Sequence, residues 1–166
     1  MASPRVRDAQ RSDVPTILRF IKELANYEKA LDKVEATEAS LTETLFARPY
    51  AHVIIAEMEL EGRGWAPVGF SLYFYTYSTW TSRPTLFLED LFVLTEYRNQ
   101  GIGKLLFKRL GEIATESDCR RLEWNVLTWN APSIGFYKGT LGAEMLEEWR
   151  GMRLDVDGIK RLAHLS

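Results

Sequence analysis

Between an apolar run and a helical one lies Arg98-Asn99-Gln100-Gly101-Ile102-Gly103-Lys104. Two glycines let the backbone approach a ligand closely, and the free N–H groups of a helix start favour an anion, most often phosphate. The spacing excludes two nucleotide carriers. A dinucleotide fingerprint requires a third glycine at 106, which is Leu106, and a Walker loop requires Gly at 98 and Ser or Thr at 105, which are Arg98 and Leu105. Just upstream, Leu88-Glu89-Asp90-Leu91-Phe92-Val93 sets two carboxylates in an apolar, strand-like run. Glu89 is either a general base or a solvated edge charge. Neighbours on a regular strand point to opposite faces, so Glu89 and Asp90 are not expected to form a pair. Downstream, Asn130-Ala131-Pro132-Ser133-Ile134-Gly135-Phe136-Tyr137-Lys138 carries a tyrosine. A phenol of pKa ~10 can protonate a leaving group, or its ring can simply pack beside Phe136.

Other chemistries find little support. His52 and His164 lie far apart in sequence, with no cysteine or acidic residue at ligand spacing, so no metal site is expected. Ser133 has no histidine in its motif, which leaves a hydrolase triad without a base. Cys119 is the single cysteine and excludes an intramolecular disulfide, in keeping with a reducing, cytoplasmic setting. No apolar run approaches the ~20 residues of a membrane helix, and the polar start of the chain does not read as a secretory signal. Lys plus Arg number 21 and Asp plus Glu 23, a formal charge of −2, which argues against a nucleic-acid partner held by a broad basic face. A small cationic substrate remains compatible.

These residues need elements to position them. At 166 residues, 46 % hydrophobic and 27 % charged, the chain reads as one folded domain spanning 1–166. Arg5–Ala9 reads as a short first strand. Ser12 or Asp13 caps a helix with Pro15 in its first turn, and Val14, Ile17, Leu18, Ile21, Leu24 and Ala25 form its buried face. Thr37 caps a second helix that ends before Pro49. His52–Leu60, the alternating Val68, Phe70, Leu72 and Phe74, and Thr85–Val93 form an antiparallel meander. A helix from Gly103 to Ser117 faces the core with Leu105, Leu106, Leu110 and Ile113. Leu122–Leu127 is strand-like. Asn130 caps a helix that Gly142 stops, and the tail is expected to hold one or two strands around Trp149–Val156 and a short last helix. The class is α+β, a sheet antiparallel early and joined by helix crossovers late.

An Arg-x-x-Gly-x-Gly loop after an acidic-apolar strand, followed by Asn130…Phe136-Tyr137…Leu141-Gly142-Ala143, resembles the GNAT acetyltransferases. Glu23-Leu24-Ala25-Asn26-Tyr27-Glu28-Lys29, Tyr77-Ser78-Thr79-Trp80, Leu88-Glu89-Asp90 and Tyr97 to Gly103 further resemble its diamine and thialysine branch, over roughly Arg5 to Trp149. The resemblance implies a mixed, mostly antiparallel twisted sheet flanked by helices and splayed where acetyl-CoA binds. It implies that Arg98, Asn99, Gln100, Gly101, Ile102, Gly103 and Lys104 hold the pyrophosphate. Leu91, Phe92 and Val93 would lie along the thioester, with Asn130 and Ser133 on the cofactor. Glu89 would be the base and Tyr137 the acid, while Tyr27, Glu28, Trp80, Glu89 and Asp90 line the amine site. A cytoplasmic homodimer acting on a small-molecule amine follows from the same resemblance.

Where the diamine branch carries further acids, this chain has Ser78 and Leu31. Each cationic centre of a polyamine needs a partner when it is desolvated. The lost acids favour a lysine-like substrate such as thialysine. A spermidine or spermine acetyltransferase is the alternative, and a non-catalytic acyl-CoA-binding module is the alternative of another class.

Overall fold

In the computed structural model, which describes residues 3–165, the β-branched and aromatic runs before Asn125 form one five-stranded sheet. Its strands are β1 (Arg5–Asp8), β2 (His52–Leu60), β3 (Gly64–Ser78), β4 (Arg83–Val93) and β5 (Arg121–Trp124), side by side in sequence order. The first three pairings are antiparallel and β4–β5 is parallel. Parallel neighbours need a crossover, and α3 (Ile102–Glu116) supplies it. The sheet is open, mixed and mostly antiparallel, as the sequence leads one to expect.

Side-chain alternation divides the core between the two faces of the sheet. On one face α1 (Val14–Tyr27) buries Val14, Ile17 and Phe20 against Val53, Ile55, Phe70 and Phe92. The Phe20 ring lies 5.7 Å from Phe70 and 5.8 Å from Phe92. Phe20 falls outside the periodic set named from the sequence, yet it is fully buried. The alternate residues Ile54, Ser71 and Leu86 are buried on the other face, where Tyr75 reaches Ser117 just beyond the end of α3. Within α3, Ile102, Leu106, Phe107, Leu110 and Ile113 are buried, while Leu105 is half-buried.

Asp13 occupies the cap position of α1, but its carboxylate does not bond to the helix. It accepts from Arg7 at 2.7 Å and from the Gln10 N–H at 2.7 Å. Arg7 and Arg5 also bind the buried Glu57, at 2.9 and 2.8 Å, and fasten β1 to β2. Thr37 caps α2 (Glu38–Thr42) through the Ser40 N–H, and the chain continues as a π-helical turn over Glu43–Ala47.

From Val126 onward the chain forms a second compact unit. It contains α4 (Ala131–Gly139) and α5 (Val156–Leu162). α4 ends three residues before Gly142, whose φ is +70°, and the Ala143 N–H returns to the Tyr137 carbonyl at 3.0 Å. The strand expected around Trp149–Val156 is absent from the described residues; that stretch is irregular up to α5. A strand needs a neighbour to take its N–H and C=O groups, and no ladder partner lies beside this segment among the described residues.

Candidate functional site

The site begins with an irregularity in β4. Leu72 pairs with Asp90 and Tyr73 with Leu88, so Glu89 is an extra residue without a partner on β3. A bulge of this kind puts two residues opposite one and resets the alternation. Phe87, opposite Phe74, belongs to the α1 side by parity with Leu72 and Phe70, and Glu89 follows it by alternation. Asp90, opposite Leu72, is on that same side. The bulge therefore places both carboxylates on the α1 face, correcting the expectation that they point apart. Strand periodicity predicts opposite faces, and a bulge is invisible to it.

The two environments differ. Glu89 is exposed, whereas Asp90 is half-buried, opposite Leu72 and two residues before the buried Phe92. Burial, then the charge of Glu89, then that of Glu28 push the Asp90 carboxyl up to about 6. Glu28, just past the end of α1, is itself pushed up by burial. Glu28, Glu89 and Asp90 thus form one electrostatic group contributed by two elements.

Arg98 joins this group to the glycine loop. Its Nε donates to the Val93 carbonyl at 2.9 Å, and its guanidinium lies 5.2 Å from the Tyr27 ring and 5.7 Å from Phe92. The side chain spans the end of β4 and the end of α1. The loop then turns through Asn99 at φ +61° and Gly101 at φ +82°, and Gln100 donates to the Glu96 carbonyl at 3.2 Å. Gly101 is the N-terminal cap of α3, with Ile102, Gly103 and Lys104 in the first turn. Left-handed residues ahead of a helix start turn successive N–H groups toward one concavity suited to an anion. The conformation at Gly101 is one that L side chains rarely adopt, which explains the glycine.

β4 also has an open edge at this end. Leu91, Phe92 and Val93 pair with Ser71, Phe70 and Gly69 of β3, but pairing with β5 stops at Leu88 opposite Trp124. From Glu89 to Val93 the other edge has no ladder partner among the described residues; the Val93 carbonyl accepts from Arg98, and the remaining N–H and C=O groups of that edge are a template for an extended ligand. Gly69 holds this edge in place. A Cβ there would lie 2.6 Å from the Phe92 carbonyl oxygen. Gly69 is outside the expected site, and a glycine inside an apolar strand, Val68-Gly69-Phe70, is the sequence signal of such a close approach.

Not every expected residue joins this group. Ser78 and Trp80 lie at the β3–β4 hairpin tip, where Ser78 pairs with Arg83. Six residues separate Ser78 from Leu72, opposite Asp90, or about 20 Å along a strand. Trp80 is 82 % exposed, with the Arg121 guanidinium 6.0 Å from its ring. Ser78 therefore does not stand beside the carboxylates; the bulge and the hairpin length set that distance. In the second unit, Asn130 is buried and its side chain accepts from the Ser133 N–H at 3.4 Å to cap α4. Tyr137 lies on α4, its ring 5.7 Å from Phe136. An open cleft of about 550 Å³ on the outer face of α1, lined by Arg19, Lys22, Asn26 and Leu31 among others, contains none of the acidic group.

Comparison with known proteins places this arrangement in a family. The chain matches the acetyltransferase (GNAT) family over residues 18–143. It is 40 % identical to a thialysine N-epsilon-acetyltransferase from Sus scrofa, over 98 % of this chain and 99 % of the relative. It is 37 % identical to a spermidine/spermine N(1)-acetyltransferase-like protein 1 from Homo sapiens, over 96 % of this chain but 24 % of that protein. Among solved structures, an integron cassette protein from the V. cholerae mobile metagenome superposes with a TM-score of 0.75 at 25 % identity, over 98 % of this chain and 99 % of that one. With a left-handed glycine loop, an open β4 edge and carboxylates gathered at the same strand end, the chain belongs to the GNAT acetyltransferase family and is an enzyme that transfers acetyl to an amine.

Proposed function

We propose that this enzyme moves the acetyl group of acetyl-CoA to the side-chain amine of a lysine-like amino acid such as thialysine. The observation that carries the reading is the coincidence of three features at one end of β4. These are the left-handed loop at Asn99 and Gly101, the unpaired edge from Glu89 to Val93, and the carboxylates of Glu28, Glu89 and Asp90. Acetyl-CoA, which GNAT enzymes use, fits the first two: the loop from Arg98 to Lys104 for the pyrophosphate, the edge at Leu91, Phe92 and Val93 for the extended pantetheine arm and the thioester. Backbone N–H groups of that edge would stabilise the oxyanion as the carbonyl is attacked. The carboxylates suit a cationic amine, with Tyr27 and Glu28 at its entrance and Glu89 and Asp90 beside it as the two candidates for proton acceptor. Tyr137 would protonate the departing thiolate, with Asn130 and Ser133 toward the pantetheine arm.

The choice of amine rests on the thialysine-named relatives, which match this chain over nearly its whole length. The polyamine reading is supported by the 37 % identical relative and by the number of carboxylates. The family match crosses from the first compact unit into the second, which supports one functional domain over 1–166. No described helix is long and apolar enough to cross a membrane. We place the enzyme in the cytoplasm as a homodimer. The dimer is supported by the apolar residues exposed in the second unit, with Trp149 at 63 % and Met152 at 94 %.

The test is head-to-head kinetics with thialysine, lysine, putrescine and spermidine, read by thiol release from acetyl-CoA. Thialysine should give the highest kcat/KM. Spermidine as the best substrate would establish the polyamine reading, and no thiol release with any amine would leave an acyl-CoA-binding module.

A further inference from the structure

We propose that Asp90, rather than Glu89, takes the proton from the substrate ammonium. This deepens the proposed amine acetylation and rests on it. The geometry comes first. The bulge at Glu89 brings both carboxylates to the α1 face, so either is placed to meet an amine arriving there. They are not equivalent. Glu89 is exposed, and water solvates its charge. Asp90 is half-buried, two residues from the buried Phe92 and across from Leu72. Among the described residues its side chain makes no hydrogen bond or ion pair. The charges that act on it are Glu89 on its own strand and Glu28 just past the end of α1. The Arg98 guanidinium is directed to the Val93 carbonyl and the Tyr27 ring instead. A carboxylate flanked by two others and by apolar surface binds a proton more tightly than a solvated one. That agrees with the upward shift of Asp90 to about 6. Of two carboxylates within reach, the one with the higher proton affinity is the better general base. The carboxylates of Glu28 and Glu89 hold the cationic amine beside it.

The step balances. The ammonium gives one proton to the Asp90 carboxylate, and the freed lone pair forms the N–C bond to the thioester carbonyl. On collapse the C–S bond breaks and the sulfur leaves with its electron pair. Tyr137 protonates the departing sulfur, and the second proton lost by nitrogen passes through solvent to restore the Tyr137 phenol. Asp90 then releases its proton to solvent, so the sum is ammonium plus acetyl-CoA giving amide, free thiol and one proton.

The full-length enzyme with acetyl-CoA and thialysine provides the test. Asp90 must be ionised to accept a proton, so wild-type kcat/KM should fall tenfold per pH unit below about 6. The isosteric Asp90→Asn should lower kcat by ~10²–10⁴-fold and remove that limb, while Asp90→Glu restores part of both. Glu89→Gln should instead raise the KM for the amine, lower kcat less than about tenfold, and move the limb to lower pH, because a repelling charge has gone. Carboxyl NMR titration of the free protein gives a readout independent of turnover: residue 90 should titrate near 6 and move down in Glu89→Gln. Loss of kcat and of the limb in Glu89→Gln, with both kept in Asp90→Asn, would overturn the assignment, as would a residue 90 carboxyl that titrates in the ordinary range. Wild-type enzyme inactive on every amine would defeat the parent reading, and the titration would still report on Asp90.

Discussion

Substituting Gly69→Ala adds a single methyl group at the point where β3 meets the open-edged end of β4. Its Cβ would stand 2.6 Å from the Phe92 carbonyl oxygen and 3.3 Å from both the Val93 Cα and a Val93 methyl. A carbon and a carbonyl oxygen need more than 3 Å, so backbone must move by roughly half an ångström, and neither neighbour is the free end of a flexible side chain. Overpacking in a filled interior costs ~1–3 kcal/mol. Against it, alanine restricts the unfolded chain more than glycine and recovers ~0.5–1 kcal/mol, since the backbone at 69 is not left-handed. The balance is a loss of up to about 2.5 kcal/mol, or as much as ~10 °C in Tm at this chain length. The displaced atoms belong to the strand end whose Val93 carbonyl accepts from Arg98. Activity should therefore fall by more than the loss of folded protein explains. Urea denaturation would give the stability, and kcat/KM at a temperature where both proteins are fully folded would give the second effect. A variant as stable as wild type with unchanged kcat/KM would show that the close approach neither constrains the strand nor positions the site.

Ser71 is fully buried and its hydroxyl has no hydrogen-bond partner among the described residues, so Ser71→Ala should stabilise the protein by about 1 kcal/mol in urea denaturation; a loss of stability would reveal a bonded hydroxyl. Tyr137→Phe keeps the ring beside Phe136 and removes the hydroxyl that would give the proton, so turnover should drop ~10²–10⁴-fold, far more than CoA affinity measured by calorimetry. Wild-type turnover in that variant would make Tyr137 a packing residue.

The elements that carry the site are legible in the chain because each is signalled locally. His52–Leu60 is a strand by its own composition, the helical period after Gly101 marks α3, and Thr37 and Asn130 cap the helices that follow them. The glycine loop can be read for the same reason: only residues tolerant of left-handed backbone fit its turn, and the requirement is written at 99 and 101. Long-range geometry has no such signature. The bulge that turns Glu89 and Asp90 to one face depends on how β4 registers against Leu72 and Tyr73, and no residue within β4 announces it. The upward shift of Asp90 needs Glu28, sixty-two positions away in sequence, as well as burial that exists only once α1 has packed on the sheet. The separation of Ser78 from the carboxylates likewise follows from the pairing of two long strands. Residue type and local spacing thus determined which groups are available and which elements bear them. Strand register and packing decided which of them share a face and what charge each carries, because proton affinity responds to every neighbour in space and not only to neighbours along the chain.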